Sequence, residues 1–101
     1  MSQYVIHQPR LAWDGAQSLV SCCLSGSDYP WLSERVRELL GPPADEALWQ
    51  SRLRLVRPER DDARSLEVGA WRVRLEDALR SRPELTEPFL EFVAEVRARV
   101  P

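Results

Sequence analysis

The sequence is short of the residues that most often carry chemistry. It has no lysine, no asparagine, one histidine (His7) and only two cysteines. The four glycines are scattered, so no glycine-rich phosphate loop is present. His7 has no metal-spaced partner and no neighbouring groups that would complete a catalytic triad. We therefore predict that the chain is not an enzyme and has no catalytic residue, no metal ligand and no cofactor.

The two cysteines, Cys22 and Cys23, are adjacent and leave no further cysteine for a disulfide framework. A reducing, cytoplasmic setting is the natural expectation. Cys23 is predicted to act as a small buried hydrophobe, since free cysteines are commonly buried. No apolar run approaches the ~20 residues that a membrane-spanning helix needs, so we expect no membrane partner.

The charges are numerous but balanced. All 14 basic residues are arginine, and 16 acidic residues give the 101-residue chain a net charge of −2. We interpret the missing lysine as a consequence of GC-rich coding. Because no net positive field remains to attract phosphate, the composition does not predict a nucleic-acid partner. The length and the 30% charged fraction are typical of one globular domain.

Apolar residues recur three and four apart over most of the chain, which is typical of amphipathic helices. Prolines, glycines and acidic residues mark where these helices start and stop. We predict an all-α fold, a small bundle of four to five helices in a single domain over residues 1–101. The predicted helices cover about 12–25, 30–40, 43–56, 61–82 and 86–99.

Two stretches favour extended structure. Residues 1–11 contain the short β-prone run Tyr4–Ile6 before Pro9, which predicts an extended amino-terminal arm ahead of a bundle over 12–101. Farther along the chain, apolar and charged residues alternate with period two, so a β-hairpin through 50–76 stays open as an alternative. We favour helices there because caps, lengths and composition agree with one another.

Four tryptophans in 101 residues exceed what a small core usually needs. Trp31 and Trp49 lie beside the main apolar stripes of their predicted helices, not within them. Exposed tryptophan and arginine commonly anchor protein interfaces, so Trp31, Trp49, Arg35 and Arg52 are the candidate interface residues. The competing interpretation is that both tryptophans simply widen the core.

The predicted helices over 30–40 and 43–56 are joined by a short glycine-containing turn, as in helix-turn-helix DNA-binding proteins. In that motif the start of the second helix enters the major groove. Here this start contains Asp45 and Glu46, which would meet phosphates with negative charge. The arginines cluster at the opposite end of the helix. A DNA-binding regulator is thus retained only as a second alternative.

A broader resemblance covers residues 32–99. It rests on Leu32–Leu40, Ala47-Leu48, Pro58–Asp62, Leu79–Leu85 and Phe92–Val96. These stretches resemble helical segments near the start of many multidomain proteins of high-GC actinobacteria. Some of those proteins are modular signalling or immune-conflict proteins whose small helical domains act as adaptors. The resemblance implies a helical fold and a binding role, and it carries no diagnostic catalytic residue.

Together these observations predict a non-catalytic protein–protein interaction module, either an adaptor or a homotypic oligomerisation domain. The expected partner is a protein, which includes a second copy of the chain, and no small-molecule substrate is implied. The first alternative is a small heteromeric regulator, such as an immunity protein or an antitoxin.

Overall fold

Helices make up almost all of residues 7–100, the part of the chain that the computed structural model describes. They are α1 (Gln8–Cys23), α2 (Tyr29–Leu40), α3 (Pro42–Val56), α4 (Ala63–Ser81) and α5 (Thr86–Arg99), with a 3₁₀ turn (Pro83–Leu85) before α5. The all-α prediction is confirmed. The hairpin alternative over 50–76 is wrong, because α3 and α4 account for most of that segment and no strand occurs within 7–100.

Helix α1 begins earlier than the sequence pattern predicts. The exposed His7 side chain caps it, with Nδ1 accepting a hydrogen bond from the Arg10 backbone N–H at 3.2 Å. Pro9 lies in the first turn, where its missing N–H costs no helical hydrogen bond. The prediction of an extended arm is therefore wrong for residues 8–11. His7 has an extended backbone, and the rest of that prediction falls on residues 1–6, outside the described part of the chain.

Helix α1 is the central element and packs mainly against α4 and α5. Its contact with α5 depends on Gly15, which lies against the buried Phe89 ring. A Cβ atom at Gly15 would lie 2.6 Å from Phe89 Cζ and 3.4 Å from Leu75 Cδ1. The absence of a side chain at this position thus lets α1, α4 and α5 approach one another closely.

A single apolar core runs between the helices. Its largest fully buried side chains are Phe89, Phe92, Leu19, Leu32, Leu48, Leu75 and Leu79. Every one of the five α-helices contributes to this core. Residues 7–100 thus pack around one centre.

The link between α2 and α3 fixes the position of α3. Gly41 joins the two helices with a φ of +96°, a conformation that favours glycine. Asp45 then binds back to α2, accepting hydrogen bonds from Arg37 Nη2 at 2.9 Å and from the Ser33 hydroxyl. One side of α3 consequently rests on the bundle, and its other side faces outward.

Candidate functional site

Helix α3 has apolar side chains on two faces. Its inner face buries Ala44, Leu48, Ser51 and Leu55. Its outer face carries Trp49, Leu53 and Val56, which are 45%, 48% and 56% exposed. These three residues, the outer stripe, follow the i, i+4, i+7 spacing that forms one row along a helix. Since a surface helix needs only one apolar face, the outer stripe is a second face that the described bundle leaves uncovered.

Trp49 and Arg52 both lie close to the ring of Tyr29 in α2. The Tyr29 and Trp49 ring centroids lie 5.9 Å apart, and Arg52 Cζ lies 4.9 Å from the Tyr29 centroid, within cation–π range. Arg52 also donates a hydrogen bond to the Cys23 carbonyl at the end of α1, a group that a helix terminus leaves unpaired. Arg52 therefore ties three helices together, while Trp49 stays about half exposed.

Trp31 and Arg35 belong to a different cluster, at the contact of α2 with α5. Trp31 stacks on Phe92 with ring centroids 6.2 Å apart, and Arg99 Cζ lies 3.8 Å from the Trp31 centroid. Arg35 forms an ion pair with Glu95 of α5 at 3.0 Å. The half-buried Trp31 thus contacts Phe92 and Arg99 of its own chain and packs against the core, as the competing interpretation expects.

A chain of hydrogen bonds joins α3 to α4 beneath the surface. Trp71 Nε1 donates to Ser51 Oγ at 2.9 Å, and Ser51 Oγ donates to Glu67 Oε1 at 2.6 Å. Arg54 Nε donates to Glu67 Oε2, also at 2.6 Å. Burial disfavours the charged form of Glu67, but the bonds from Arg54 and Ser51 outweigh it and hold the pKa of Glu67 below its usual value. These hydrogen bonds satisfy the buried polar groups between α3 and α4.

Two open clefts lie along α3 and α4, and Arg54 and Glu67 line both. The larger cleft has a volume of about 590 Å³ and includes Val73 in its lining. The smaller, of about 420 Å³, is lined by Leu53 of the outer stripe and by Leu66, which is exposed. The apolar surface therefore continues from α3 across the smaller cleft to α4.

Both cysteines are buried and free, so the prediction of a buried Cys23 is confirmed. Burial raises the pKa of the Cys22 thiol to about 11 and that of Cys23 to about 12. Cys23 Sγ also donates to the Leu48 carbonyl at 3.8 Å. Both thiols are therefore protonated at neutral pH and pack as small core side chains.

Between residues 7 and 100, no group of three or more histidine, cysteine or acidic side chains is arranged to hold a metal ion. None of the helices in this range combines the length and the apolar character needed to cross a bilayer. Comparison of the chain with family models, with curated proteins and with solved structures found no match. The resemblance to actinobacterial adaptor segments stays a prediction.

The structure thus divides the four predicted interface residues. Trp49 and Arg52 lie at one end of the outer stripe, whereas Trp31 and Arg35 join α2 to α5. The other two members of the outer stripe were not among the predicted interface residues. Their helical spacing from Trp49 is visible in the sequence, but the inward-facing leucines of α3 form an equally regular row. Only the packed structure shows which row is left outside.

Proposed function

We propose that this chain is a non-catalytic protein–protein interaction module and that the outer stripe of α3 is its contact surface. The observation that carries the proposal is a row of three large apolar side chains, each about half exposed, on a helix whose other face is already buried. Single exposed apolar residues are ordinary on protein surfaces. A continuous apolar row with a tryptophan at one end is typical of a protein contact.

Leu66 and Val73 lie seven residues apart on α4, 51% and 50% exposed, and therefore share one side of that helix and extend the apolar surface of α3. The remaining exposed apolar residues of the bundle do not form such a row. Trp13 lies on α1 and Leu24 directly after it, eleven residues apart and with polar residues between them. Leu90 is 37% exposed on α5. These positions are therefore suitable controls for the outer stripe.

The charges of α3 favour a protein partner over nucleic acid. Its first turns carry Asp45, which is engaged with Arg37, and the exposed Glu46. A recognition helix would bring these acidic groups towards phosphates, which repel them.

We also propose a reducing, cytoplasmic setting, supported by the free thiols of Cys22 and Cys23. Fractionation of cells that make the protein tests this setting.

Site-specific photocrosslinking tests the contact in the cell. A benzophenone amino acid would replace Leu53 in one version of the protein and Leu90 in the control version. We expect irradiation to give a discrete protein adduct from position 53 and none from position 90, because only the former lies on the outer stripe. Mass spectrometry of the adduct would identify the partner as a second copy or as another protein, the latter as expected for a heteromeric regulator.

Comparison with the control position 90 also shows which results would contradict the proposal. Equal adduct patterns from the two positions, or no adduct from position 53 in cells that express the folded protein, would contradict the proposal.

A further inference from the structure

The outer stripe has a charged group of opposite sign at each end. Glu46 precedes Trp49 by one helical turn, and Arg57, the residue directly after α3, follows Leu53 by four residues. Both side chains are exposed, and neither forms an ion pair within residues 7–100. The only hydrogen bond to the Glu46 side chain in that range comes from its helical neighbour Gln50, at 3.1 Å.

The neighbouring charges of α3 are already engaged within the chain. Asp45 pairs with Arg37 at 2.9 Å, and Arg54 pairs with Glu67 at 2.6 Å. Among the charges of α3 and of the residue directly after it, those that remain free for a partner are therefore acidic at the amino end of the stripe and basic at its carboxyl end. This order also matches the helix dipole, which favours acidic groups at the start of a helix and basic groups at its end.

Such an arrangement is complementary to itself under a two-fold rotation. If a second copy of α3 runs antiparallel to the first, Glu46 faces the partner's Arg57, and Arg57 faces the partner's Glu46. The same register places Trp49 against the partner's Leu53 on both sides of the axis, which passes near residue 51. Both contacts occur twice, as an isologous interface requires.

We propose that two copies of this chain associate through α3 in an antiparallel, two-fold symmetric dimer, with paired outer stripes flanked by two Glu46–Arg57 ion pairs. This inference rests on the proposed function, since it names the partner of the same surface. It also gives the second apolar face of α3 a buried environment.

The apolar surface offered to a second copy is small. Helix α3 has 15 residues and a length of about 22 Å, so its stripe alone falls short of the ~800 Å² per partner of a standard interface. Leu66 lies across the smaller cleft from Leu53 and extends the apolar surface to α4. We therefore expect a weak dimer in which α3 and α4 of each copy form the contact. Its population should rise with protein concentration.

Charge reversal tests the pairing directly. Light scattering at low ionic strength, over a hundredfold range of concentration, would compare the wild-type chain with Glu46→Arg, Arg57→Glu, the double variant and an equimolar mixture of the single variants. Each single variant places like charges together twice, so we expect its dissociation constant to rise about tenfold or more. The double variant and the mixture restore opposite charges at both sites and should dimerise like the wild type.

The control is Glu91→Arg on α5, which changes an exposed charge by the same amount away from α3 and should leave dimerisation unchanged. Circular dichroism would verify that every variant keeps its helical content. A wild-type dimer whose single variants are not rescued by mixing would overturn the antiparallel pairing and leave the interaction module intact.

A wild-type monomer at all concentrations would overturn the dimer itself. In that case the photocrosslinking result separates the two proposals. An adduct between position 53 and a different protein would retain the interaction module, whereas no adduct would remove both.

Discussion

Helices α1 and α3 have similar lengths, but they use their apolar side chains differently. Nine of the 16 residues of α1 are buried, and several of them are alanine, glycine, serine or cysteine. In α3 only four of 15 residues are buried, although large apolar side chains occur on both faces. Small residues let other helices pack closely around α1, whereas the outer side of α3 adds nothing to the core. A change in α1 should therefore affect folding, and a change on the outer stripe should affect association.

The largest difference in the free energy of unfolding is expected between two leucine-to-alanine substitutions, one in α1 and one in α3. Leu19 of α1 is fully buried, so Leu19→Ala should lower the free energy of unfolding by about 2–5 kcal/mol through lost contacts and a cavity. Leu53→Ala should change it by less than about 0.5 kcal/mol, since the side chain is half exposed. Urea denaturation at a protein concentration too low for association measures both values. Similar losses for the two variants would show that the outer stripe belongs to the core.

Two glycine-to-alanine substitutions compare a helix backbone that is closely packed with one that is not. At Gly15 a new Cβ would meet the Phe89 ring at 2.6 Å, and the buried ring has little room to move. Gly15→Ala should therefore destabilise the protein by about 1–3 kcal/mol, despite the better helix propensity of alanine.

The matched control lies in α4. A Cβ at Gly69 has no neighbour within 4 Å, so Gly69→Ala should stabilise the protein by up to about 1 kcal/mol. Thermal denaturation of both variants checks the pair. A stabilising effect at Gly15 would contradict the close contact between α1 and α5.

A smaller effect, dependent on pH, is expected where α3 meets α4. Because the folded-state pKa of Glu67 is lowered, its contribution to stability is complete above the unfolded-state value of about 4.3 and is lost as the pH falls through the folded-state pKa. Glu67→Ala should cost about 1–2 kcal/mol at pH 7 and progressively less below pH 4. Urea denaturation between pH 3 and pH 7 would follow this, with the exposed Glu91→Ala as the control. A cost that does not depend on pH would show that the charge of Glu67 is unimportant.

Much of the fold could be predicted from local signals. Gly41 and the prolines mark helix ends regardless of tertiary contacts, so α2 to α5 were predictable. The start of α1 was not, because His7 is not among the common capping residues. The hydrogen-bonded pair of Ser51 and Glu67 was also unpredictable, since the two residues lie 16 positions apart on different helices.

In the candidate site, too, long-range contacts could not be predicted from the local sequence. Trp31 and Trp49 look alike in the sequence, as both lie beside the apolar row of a helix. Phe92 and Arg99 of α5 cover Trp31, whereas Trp49 contacts Tyr29 and stays 45% exposed. The difference depends on where α5 packs, which is a property of the whole bundle and not of either local sequence.

The two most exposed tryptophans provide the most direct test of the account. Trp13 and Trp49 are 40% and 45% exposed, so hydroxyl radicals should oxidise them to similar extents in dilute purified protein. The measurement is the ratio of Trp49 to Trp13 oxidation, determined by mass spectrometry in that sample and in intact cells. We expect a clear fall of this ratio in cells, because a partner covers the outer stripe. An unchanged ratio would contradict the claim that the outer face of α3 is a protein contact.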